Sequence, residues 1–311
     1  SLCTVNSDSA YVAYLLIFMV FFWYSMESNE KFGRFLELAL LFLGTCKVVG
    51  IFQVLFPERM ITLITGTEQM SNFMTQSPLM LVALIVVAVL YAGFRYLIAK
   101  GEKEKKAQDA FDIRKYRILR KIMVIGVIFA VWLVVLLIIL TTRHKLPGFL
   151  EGLYNIGFLN FTESWGNHRG FNWRMAFEAI KNSTFKDFLI GVGPDCFVLS
   201  MDKYCLQEVD VYWQGMKLVC AHNEWLNMLV TEGVIGVTAY MGIFISLAKR
   251  LGKCAYREPA AVPCIAAILA YMGYNIFCYQ QCICTPTIFI FMGIGEMIIR
   301  NTEKEVGNKK S

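Results

Sequence analysis

The sequence is poor in charge for its length. Asp, Glu, Lys and Arg together account for 17% of its 311 residues, whereas soluble domains contain about 25%. Several stretches are almost free of charge over the length that is needed to cross a hydrocarbon core about 30 Å thick. This composition excludes an ordinary soluble enzyme, a nucleic-acid-binding domain and a disordered tail. The continuous apolar runs exclude a transmembrane β-barrel and indicate a polytopic helical membrane protein.

Metal-ligand patterns are also missing. The three histidines have no metal-ligand spacing to any of the ten cysteines, and no CxxC pair is present. We therefore predict no metal site. Cys196, Cys205 and Cys220 fall in one polar stretch between the apolar runs. A disulfide among them is compatible with the sequence, which does not determine the pairing.

Seven apolar stretches are candidate membrane spans. They lie at about residues 9–25, 35–56, 79–99, 122–142, 224–248, 259–277 and 284–299. Basic residues collect in the segments 26–34, 100–121, 249–258 and 300–311. The positive-inside rule places all four in the cytoplasm, and seven crossings satisfy this assignment without contradiction. Residues 143–223, the largest soluble segment, then lie outside.

These features predict an all-α fold, a polytopic transmembrane helical bundle with one large extracytoplasmic loop that carries an interfacial helix. Residues 1–142 hold the N-terminal transmembrane helices, 143–223 form the loop, and 224–311 hold the C-terminal transmembrane helices and a cytoplasmic tail. Because the first residue is Ser1 and lies outside, we expect earlier spans to be missing from the N-terminus.

The charged residues within and beside the predicted spans indicate how the chain is oriented in the membrane. They do not indicate a transport pathway. The loop 143–223 has eight basic and eight acidic residues, so the net charge of +6 comes from the cytoplasmic side. We expect the basic segment 100–121 to contact anionic lipids and not nucleic acid. Lys47, Glu37 and Glu296 are the main ionisable residues within the spans, and we expect a Lys and a Glu to pair or to snorkel.

The first informative stretch of the loop is 167–180. Trp173, Phe177 and Ile180 recur at helical spacing, which predicts an amphipathic helix along the membrane surface. Arg169 and Arg174 fall near its N-terminal end, where the helix dipole favours anions. Guanidinium groups bind phosphate oxygens in a bidentate way. The alternative is that these arginines contact lipid head groups.

Two further motifs follow. Gly191-Val192-Gly193-Pro194 is a turn signal, which we expect to end the surface helix. His222 and Asn223 stand at the outer mouth of the predicted span 224–248, with Asn223 as the N-cap. A histidine there can act as a general base or donate a hydrogen bond to an oxyanion. The alternative is a structural histidine.

This ordered set of motifs resembles the bacterial O-antigen ligase family, together with the O-antigen polymerases that share its C-terminal domain. The family motif is His, then Asn, Ser or Gln, nine residues, Gly, two residues, and Gly, Thr or Tyr. His222, Asn223, Gly233 and Gly236 match every position. Upstream, Arg169-Gly170-x-x-Trp173-Arg174 and Gly191-x-Gly193-Pro194 stand in the family's order, and the run from Pro286 to Gly295 is similar to its last span.

One family feature is missing. Members commonly have a Ser-Arg pair where an earlier span begins on the outer face, and the comparable place here reads Thr75-Gln76-Ser77-Pro78. Either Arg59 or Arg143 substitutes for the absent arginine, or the two segments do not correspond.

The resemblance implies a membrane glycosyltransferase of the bacterial cytoplasmic (inner) membrane with its active face outside. Its partners are an undecaprenyl-diphosphate-linked oligosaccharide donor, a glycan or lipid acceptor, and membrane lipids, with no metal or cofactor. Arg169 and Arg174 would bind the donor diphosphate. His222 would deprotonate or orient the acceptor hydroxyl, or hold the diphosphate.

The remaining motif residues, Asn223, Trp173, Gly233 and Gly236, would support the site, and Glu232 would be structural. Three alternatives stay open at this point. The protein is a repeat-unit polymerase of the same family, a non-enzymatic carrier of lipid-linked glycan, or an inactive relative.

Overall fold

The computed structural model describes residues 8–57, 69–103 and 113–308. The described residues are 81% helix and contain no strand. Its contacts divide it into two units. One comprises Ser1–Ile122 and Cys254–Ala270, and the other Met123–Lys253 and Tyr271–Ser311. The predicted all-α class is confirmed.

The first unit is built mainly from four helices. They are α1 (Asp8–Ser25), α2 (Asn29–Leu55), α3 (Gln69–Gln76) and α4 (Pro78–Lys103). The Ser28 hydroxyl caps α2 by accepting a hydrogen bond from the Lys31 amide at 3.2 Å, which satisfies one of the free amides of the first turn. Aromatic pairs join α2 to its neighbours. Phe42 contacts Phe18 on α1, and Phe32 contacts Phe94 on α4, with ring centroids 5.0 Å and 5.2 Å apart.

The cation in the middle of α2 has backbone partners. Lys47 Nζ donates to the carbonyl oxygens of Thr75 at 3.1 Å and Ser77 at 2.7 Å. Glu37 accepts from the Tyr91 hydroxyl, and Glu296 pairs with Arg250 and with Arg300, the second of which lies on its own helix. Among the described residues, Lys47 therefore has backbone carbonyls as partners and no glutamate, so of the two expected outcomes the pairing is not found there. Carbonyl oxygens at the end of a helix carry the partial negative charge that an ammonium group needs.

The second unit contains the rest of the helices. They are most of α5 (Ile113–Thr142), two 3-10 segments (Gly148–Asn155 and Gly157–Leu159), α6 (Trp165–Asn182), α7 (Phe185–Ile190), α8 (Phe197–Tyr204), α9 (Leu206–Trp213), α10 (Glu224–Thr231), α11 (Gly233–Cys254), the end of α12 (Ala261–Tyr274) and α13 (Thr285–Asn308). Residues 143–223 are thus a chain of short helices between α5 and α10.

These short helices share a small hydrophobic core. On α6, Phe171, Met175 and Ala179 are each 1% exposed and face apolar residues of α8, α9 and α10. The spacing of four residues makes one stripe along the helix. Of the stripe that was predicted to lie along the membrane surface, Phe177 is 59% exposed, whereas Trp173 and Ile180 pack against the edge of this core.

Four helices are long and apolar enough to cross a membrane: Asn29–Leu55, Pro78–Lys100, Ile118–Thr142 and Gly233–Cys254. Ser9–Ser25 and Ala261–Tyr274 are shorter apolar helices. Large apolar side chains such as Ile125, Ile128 and Trp132 on α5 are exposed, as expected of a lipid-facing helix. Helices occupy all seven predicted positions, and the protein is a multi-pass membrane protein.

The predicted span 224–248 is wrong at its start. The helix α10 ends at Thr231, and α11 begins at Gly233 with φ of +69°. A Cβ atom at Gly233 would lie 2.4 Å from the carbonyl oxygen of Leu189, so glycine is required both by the left-handed backbone and by the close approach. A short buried helix therefore separates His222 from the candidate span.

Candidate functional site

His222 stands in a strained turn immediately before α10. Its φ is +52°, which is uncommon for a residue with a side chain. Asn223 caps α10 as predicted, because its Oδ1 accepts from the Leu226 amide at 3.0 Å. The Asn227 side chain accepts from the Ala221 amide at 3.3 Å on the other side of the turn. These two amides fix the turn and hold the imidazole at the N-terminal end of α10.

The surroundings of His222 favour its neutral form. Its ring lies edge-on to the Tyr279 ring, with centroids 5.3 Å apart. Burial lowers the pKa of His222 below its ordinary value, and the positive charge of Arg169 lowers it further. Desolvation and a like charge both penalise the imidazolium. At neutral pH the side chain is therefore available to accept a proton.

Arg169 is fixed beside His222 by backbone carbonyls. It follows three left-handed residues, 166–168, and begins the regular part of α6. Its Nε donates to the Phe277 oxygen at 3.0 Å, and Nη1 donates to the Gly166 oxygen at 2.8 Å. In the part of the chain that the structure describes, Nη2 has no hydrogen-bond partner. The guanidinium group is thus oriented without being neutralised by a carboxylate.

Arg174 has different partners. It forms an ion pair with Glu163, and its guanidinium carbon lies 5.3 Å from the centroid of the Phe171 ring. Both members of the ion pair are about half exposed, at 45% and 51%. An exposed pair of this kind contributes little stability. The structure therefore brings Arg169 to His222 and gives Arg174 a carboxylate instead.

Trp173 belongs to an aromatic cluster that adjoins Arg169. Its ring centroid is 5.4 Å from that of Trp165 and 6.2 Å from that of Phe277. Phe277 is the residue whose carbonyl accepts from Arg169. The sequence placed Trp173 on a membrane-facing stripe, whereas the structure places it against the segment that follows α12.

The glycines of the two motifs, Gly191 and Gly193 in one and Gly233 in the other, lie where two backbone segments contact each other. The Gly193 amide donates to the Thr231 oxygen at 2.8 Å, and a Cβ atom at Gly191 would lie 2.0 Å from that same oxygen. Gly233 approaches Leu189 from the opposite side. The turn at 191–194 is confirmed, but α6 already ends at Asn182 and α7 intervenes. Its amides are used to hold the end of α10.

Gly236 lies one turn inside α11. A Cβ atom there would lie 2.3 Å from the Cβ atom of Glu232, which caps the end of α10. The glycine therefore lets the two helices meet at a sharp break, which agrees with a structural role for Glu232.

Glu224 is a site residue that the sequence analysis missed. It is 3% exposed, its carboxylate accepts from the Gln280 amide at 2.8 Å, and its own amide donates to the Asn275 oxygen at 2.8 Å. Burial raises the pKa of Glu224. The sequence did contain a signal for this residue. Glu224 directly follows the predicted N-cap, and its carboxylate is out of place in a stretch that was predicted to be an apolar span.

The segment that Glu224 binds was also missed. The predicted span 259–277 ends at Tyr274, and the chain then runs outside regular helix until α13 begins at Thr285. This segment supplies the Phe277 carbonyl to Arg169 and the Tyr279 ring to His222. It packs on the site from a part of the chain more than fifty residues away from His222.

The three cysteines of the loop form no disulfide with one another. Within the described ranges, no group of three metal-ligating side chains occurs. Cys196, Cys205 and Cys220 are free thiols. Burial raises the pKa of Cys205 to about 11 and raises that of Cys220, so neither thiol is activated.

The segment that was compared with the family's Ser-Arg pair is held by an amide and an ammonium group. Gln76 Nε2 donates to the Gly50 oxygen and to Gln53 Oε1, and Lys47 binds the neighbouring carbonyls. Arg59, one proposed substitute, lies outside the described residues. Arg143, the other, lies just beyond the end of α5.

Comparison with known proteins identifies one family. A search of curated proteins and a search of solved structures each found no match. The family model described as O-antigen ligase matches residues 70–241, more than half of the chain. The matched range contains the arginine, glycine and histidine motifs described above. The chain therefore belongs to the O-antigen ligase family.

Proposed function

We propose that this protein transfers a glycan from an undecaprenyl-diphosphate donor to an acceptor hydroxyl at the outer face of the bacterial cytoplasmic membrane. Membership in the family supports a membrane glycosyltransferase of the ligase or polymerase type. The observation that carries the proposal is a half-buried histidine of lowered pKa beside an arginine that has no carboxylate partner among the described residues.

The proposed reaction is a displacement at the anomeric carbon of the donor sugar. The acceptor oxygen forms a bond to that carbon, the bond to the diphosphate oxygen breaks, and undecaprenyl diphosphate leaves with the bonding electrons. His222 takes the proton of the attacking hydroxyl as a general base. Arg169 stabilises the negative charge that develops on the leaving group.

Arg174 is the second proposed donor contact. Its ion pair with Glu163 is exposed, so a phosphate oxygen can replace the carboxylate at small cost. Asn223, Trp173, Gly233 and Gly236 support the site by holding the turn, the aromatic cluster and the helix break. The proposed arrangement is membrane helices in 1–142, a catalytic loop in 143–223, and membrane helices with a cytoplasmic tail in 224–311.

The test is transfer by the full chain in detergent, with an undecaprenyl-diphosphate oligosaccharide and a panel of glycan and lipid acceptors. We expect Arg169→Ala to lower the transfer rate by about 100-fold and Arg174→Ala to have a smaller effect. Lys217→Ala is the control, because Lys217 pairs with Asp202 on the surface of the same loop. The acceptor that is used separates a ligase from a polymerase.

A carrier is the competing hypothesis. If folded wild-type protein transfers glycan to no acceptor but moves the lipid-linked glycan across a vesicle bilayer, the proposed enzyme activity is wrong.

A further inference from the structure

The segment 275–280 is held at both ends by one residue. At its start, the Asn275 carbonyl accepts from the Glu224 amide, and at its end the Gln280 amide donates to Glu224 Oε2, each at 2.8 Å. The two bonds differ in kind. The first uses the backbone of Glu224 and survives any substitution except proline, whereas the second requires the side chain.

The bound segment carries both contacts that orient the site. The Phe277 carbonyl receives Nε of Arg169, and the Tyr279 ring packs edge-on against His222. Tyr279 is adjacent to Gln280, the end that depends on the Glu224 carboxylate. The side chain of Gln280 also donates to the Tyr240 hydroxyl at 2.9 Å. The Gln280 end of the segment therefore has a second contact, on α11.

Burial of the Glu224 carboxyl group costs solvation free energy, and the hydrogen bonds of that group must offset this loss. Glu224 is 3% exposed, and α10 needs no charge there because Asn223 already caps the helix. Leu226 and Val230 on the same short helix are buried in the apolar core. A carboxyl group that is buried on this helix therefore needs a specific use, and among the described residues its side-chain partner is the Gln280 amide.

We propose that Glu224 is a positioning residue of the transferase site, which holds segment 275–280 so that Tyr279 and the Phe277 carbonyl keep His222 and Arg169 in place. This inference rests on the proposed function, because it gives the arrangement of His222 and Arg169 a catalytic purpose. Glu224 itself does not touch the reacting atoms. It acts through the geometry of the segment.

The proposal makes the protonation of His222 depend on Glu224. The groups that face the His222 side chain are Arg169 from α6 and the Tyr279 hydroxyphenyl group, while the Cys220 thiol accepts from the His222 backbone. Without the Glu224 carboxylate, the Gln280 end keeps its side-chain bond to Tyr240 but loses the bond to its backbone amide. We expect this loss to expose His222 to water and to loosen Arg169. Both changes remove the causes that lower the pKa of His222, so the pKa rises toward its ordinary value.

The experiment measures the pH midpoint of His222 modification by diethyl pyrocarbonate, which reacts with neutral imidazole. The full-length protein is used in detergent, and mass spectrometry locates the modified histidine. Glu224→Ala is expected to move the midpoint to higher pH. Glu224→Gln keeps an acceptor of the same size for the Gln280 amide, and its midpoint is expected to match wild type. Glu208→Ala, an exposed glutamate on α9, is the control.

Transfer activity is the second measurement. A misplaced catalytic group costs about 100-fold in rate, so Glu224→Ala is expected to lose that much while Glu224→Gln remains close to wild type. If Glu224→Ala does not fold, Glu224→Asp replaces it, since its shorter side chain cannot reach the Gln280 amide and is expected to raise the midpoint.

Two results would overturn the proposal. One is an unchanged His222 midpoint in folded Glu224→Ala or Glu224→Asp, and the other is an equal shift in Glu224→Gln. The modification experiment needs no donor or acceptor. Absence of transfer by wild-type protein would therefore refute the proposed function and leave the positioning role to be decided by the midpoints.

Discussion

At the scale of the residue, the proposed chemistry depends on a histidine and an arginine that are both positioned by hydrogen bonds with backbone groups. His222 occupies a turn fixed by Asn223 and Asn227, and Arg169 is oriented by the carbonyls of Gly166 and Phe277. A like charge beside a half-buried imidazole keeps the imidazole neutral. The same guanidinium group is then available to an anion.

This coupling predicts how activity varies with pH. In the proposed reaction the neutral form of His222 is the active one, and the pKa of His222 is lowered by burial and by Arg169. Activity is therefore expected to persist below the ordinary pKa of histidine, about 6.5, and to fall as the pH passes through the lowered value. In Arg169→Gln the charge is lost, so the residual activity should fall at a higher pH than in wild type.

The measurement is the pH dependence of the transfer rate for wild type, Arg169→Gln and the surface control Lys181→Gln. Lys181 pairs with Glu178 on α6, away from the imidazole. If activity falls at the same pH in Arg169→Gln as in wild type, the charge of Arg169 does not act on His222.

At the scale of the element, the contact between the turn 191–194 and the end of α10 determines where the histidine stands. The backbones meet so closely that a Cβ atom would overlap the opposite chain, at 2.0 Å for Gly191 and 2.4 Å for Gly233. Both glycines also have positive φ. The glycines of the family motifs are thus partly required by the close packing of two backbone segments, and not by the binding of phosphate.

Substitution of either glycine tests this contact. Gly191→Ala and Gly233→Ala are each expected to lower the free energy of unfolding by about 2–4 kcal/mol, from left-handed strain and steric overlap together. Gly152→Ala is the control, because nothing lies within 4 Å of a Cβ atom there. The midpoint of thermal unfolding in detergent measures the change. Equal midpoints for all three variants would contradict the close approach.

The sequence predicts local features of these elements well and distant contacts poorly. Asn223 is found as an N-cap because the signal is local, and Gly191–Pro194 is found as a turn for the same reason. The break at Gly233 was missed, because an apolar run continues across it. The partners of Glu224 and Arg169 were missed since they come from segment 275–280, and no periodicity links that segment to α10.

The buried face of α6 shows a further limit. Trp173, Phe177 and Ile180 have helical spacing, but so do Phe171, Met175 and Ala179. Hydropathy does not distinguish a face that packs on neighbouring helices from one that faces lipid. Only the positions of α8, α9 and α10 decide which stripe is buried.

At the scale of the whole molecule, the distribution of basic residues predicts the orientation in the membrane. Segments 100–121 and 249–258 flank candidate spans and are strongly basic, whereas residues 143–223 have balanced charge. The positive-inside rule then places the site outside the cytoplasm. An extracytoplasmic site agrees with a reaction that uses no nucleotide.

Reporter fusions test the orientation. Alkaline phosphatase joined after residue 150 is expected to be active, because it would lie outside. The same enzyme joined after residue 257 is expected to be inactive, while green fluorescent protein at that position is expected to fluoresce. The reverse pattern would place His222 in the cytoplasm and would contradict the proposed reaction.

The most direct test of the account is the initial rate of glycan transfer by the His222→Ala variant. We expect it to be at least about 100-fold slower than wild type, which is the usual contribution of a general base. His144→Ala is the matched control, since His144 also has positive φ but packs on Tyr154, in the stretch that follows α5. Its rate is expected to equal that of wild type. A folded His222→Ala protein that transfers glycan at the wild-type rate would contradict the catalytic role of His222.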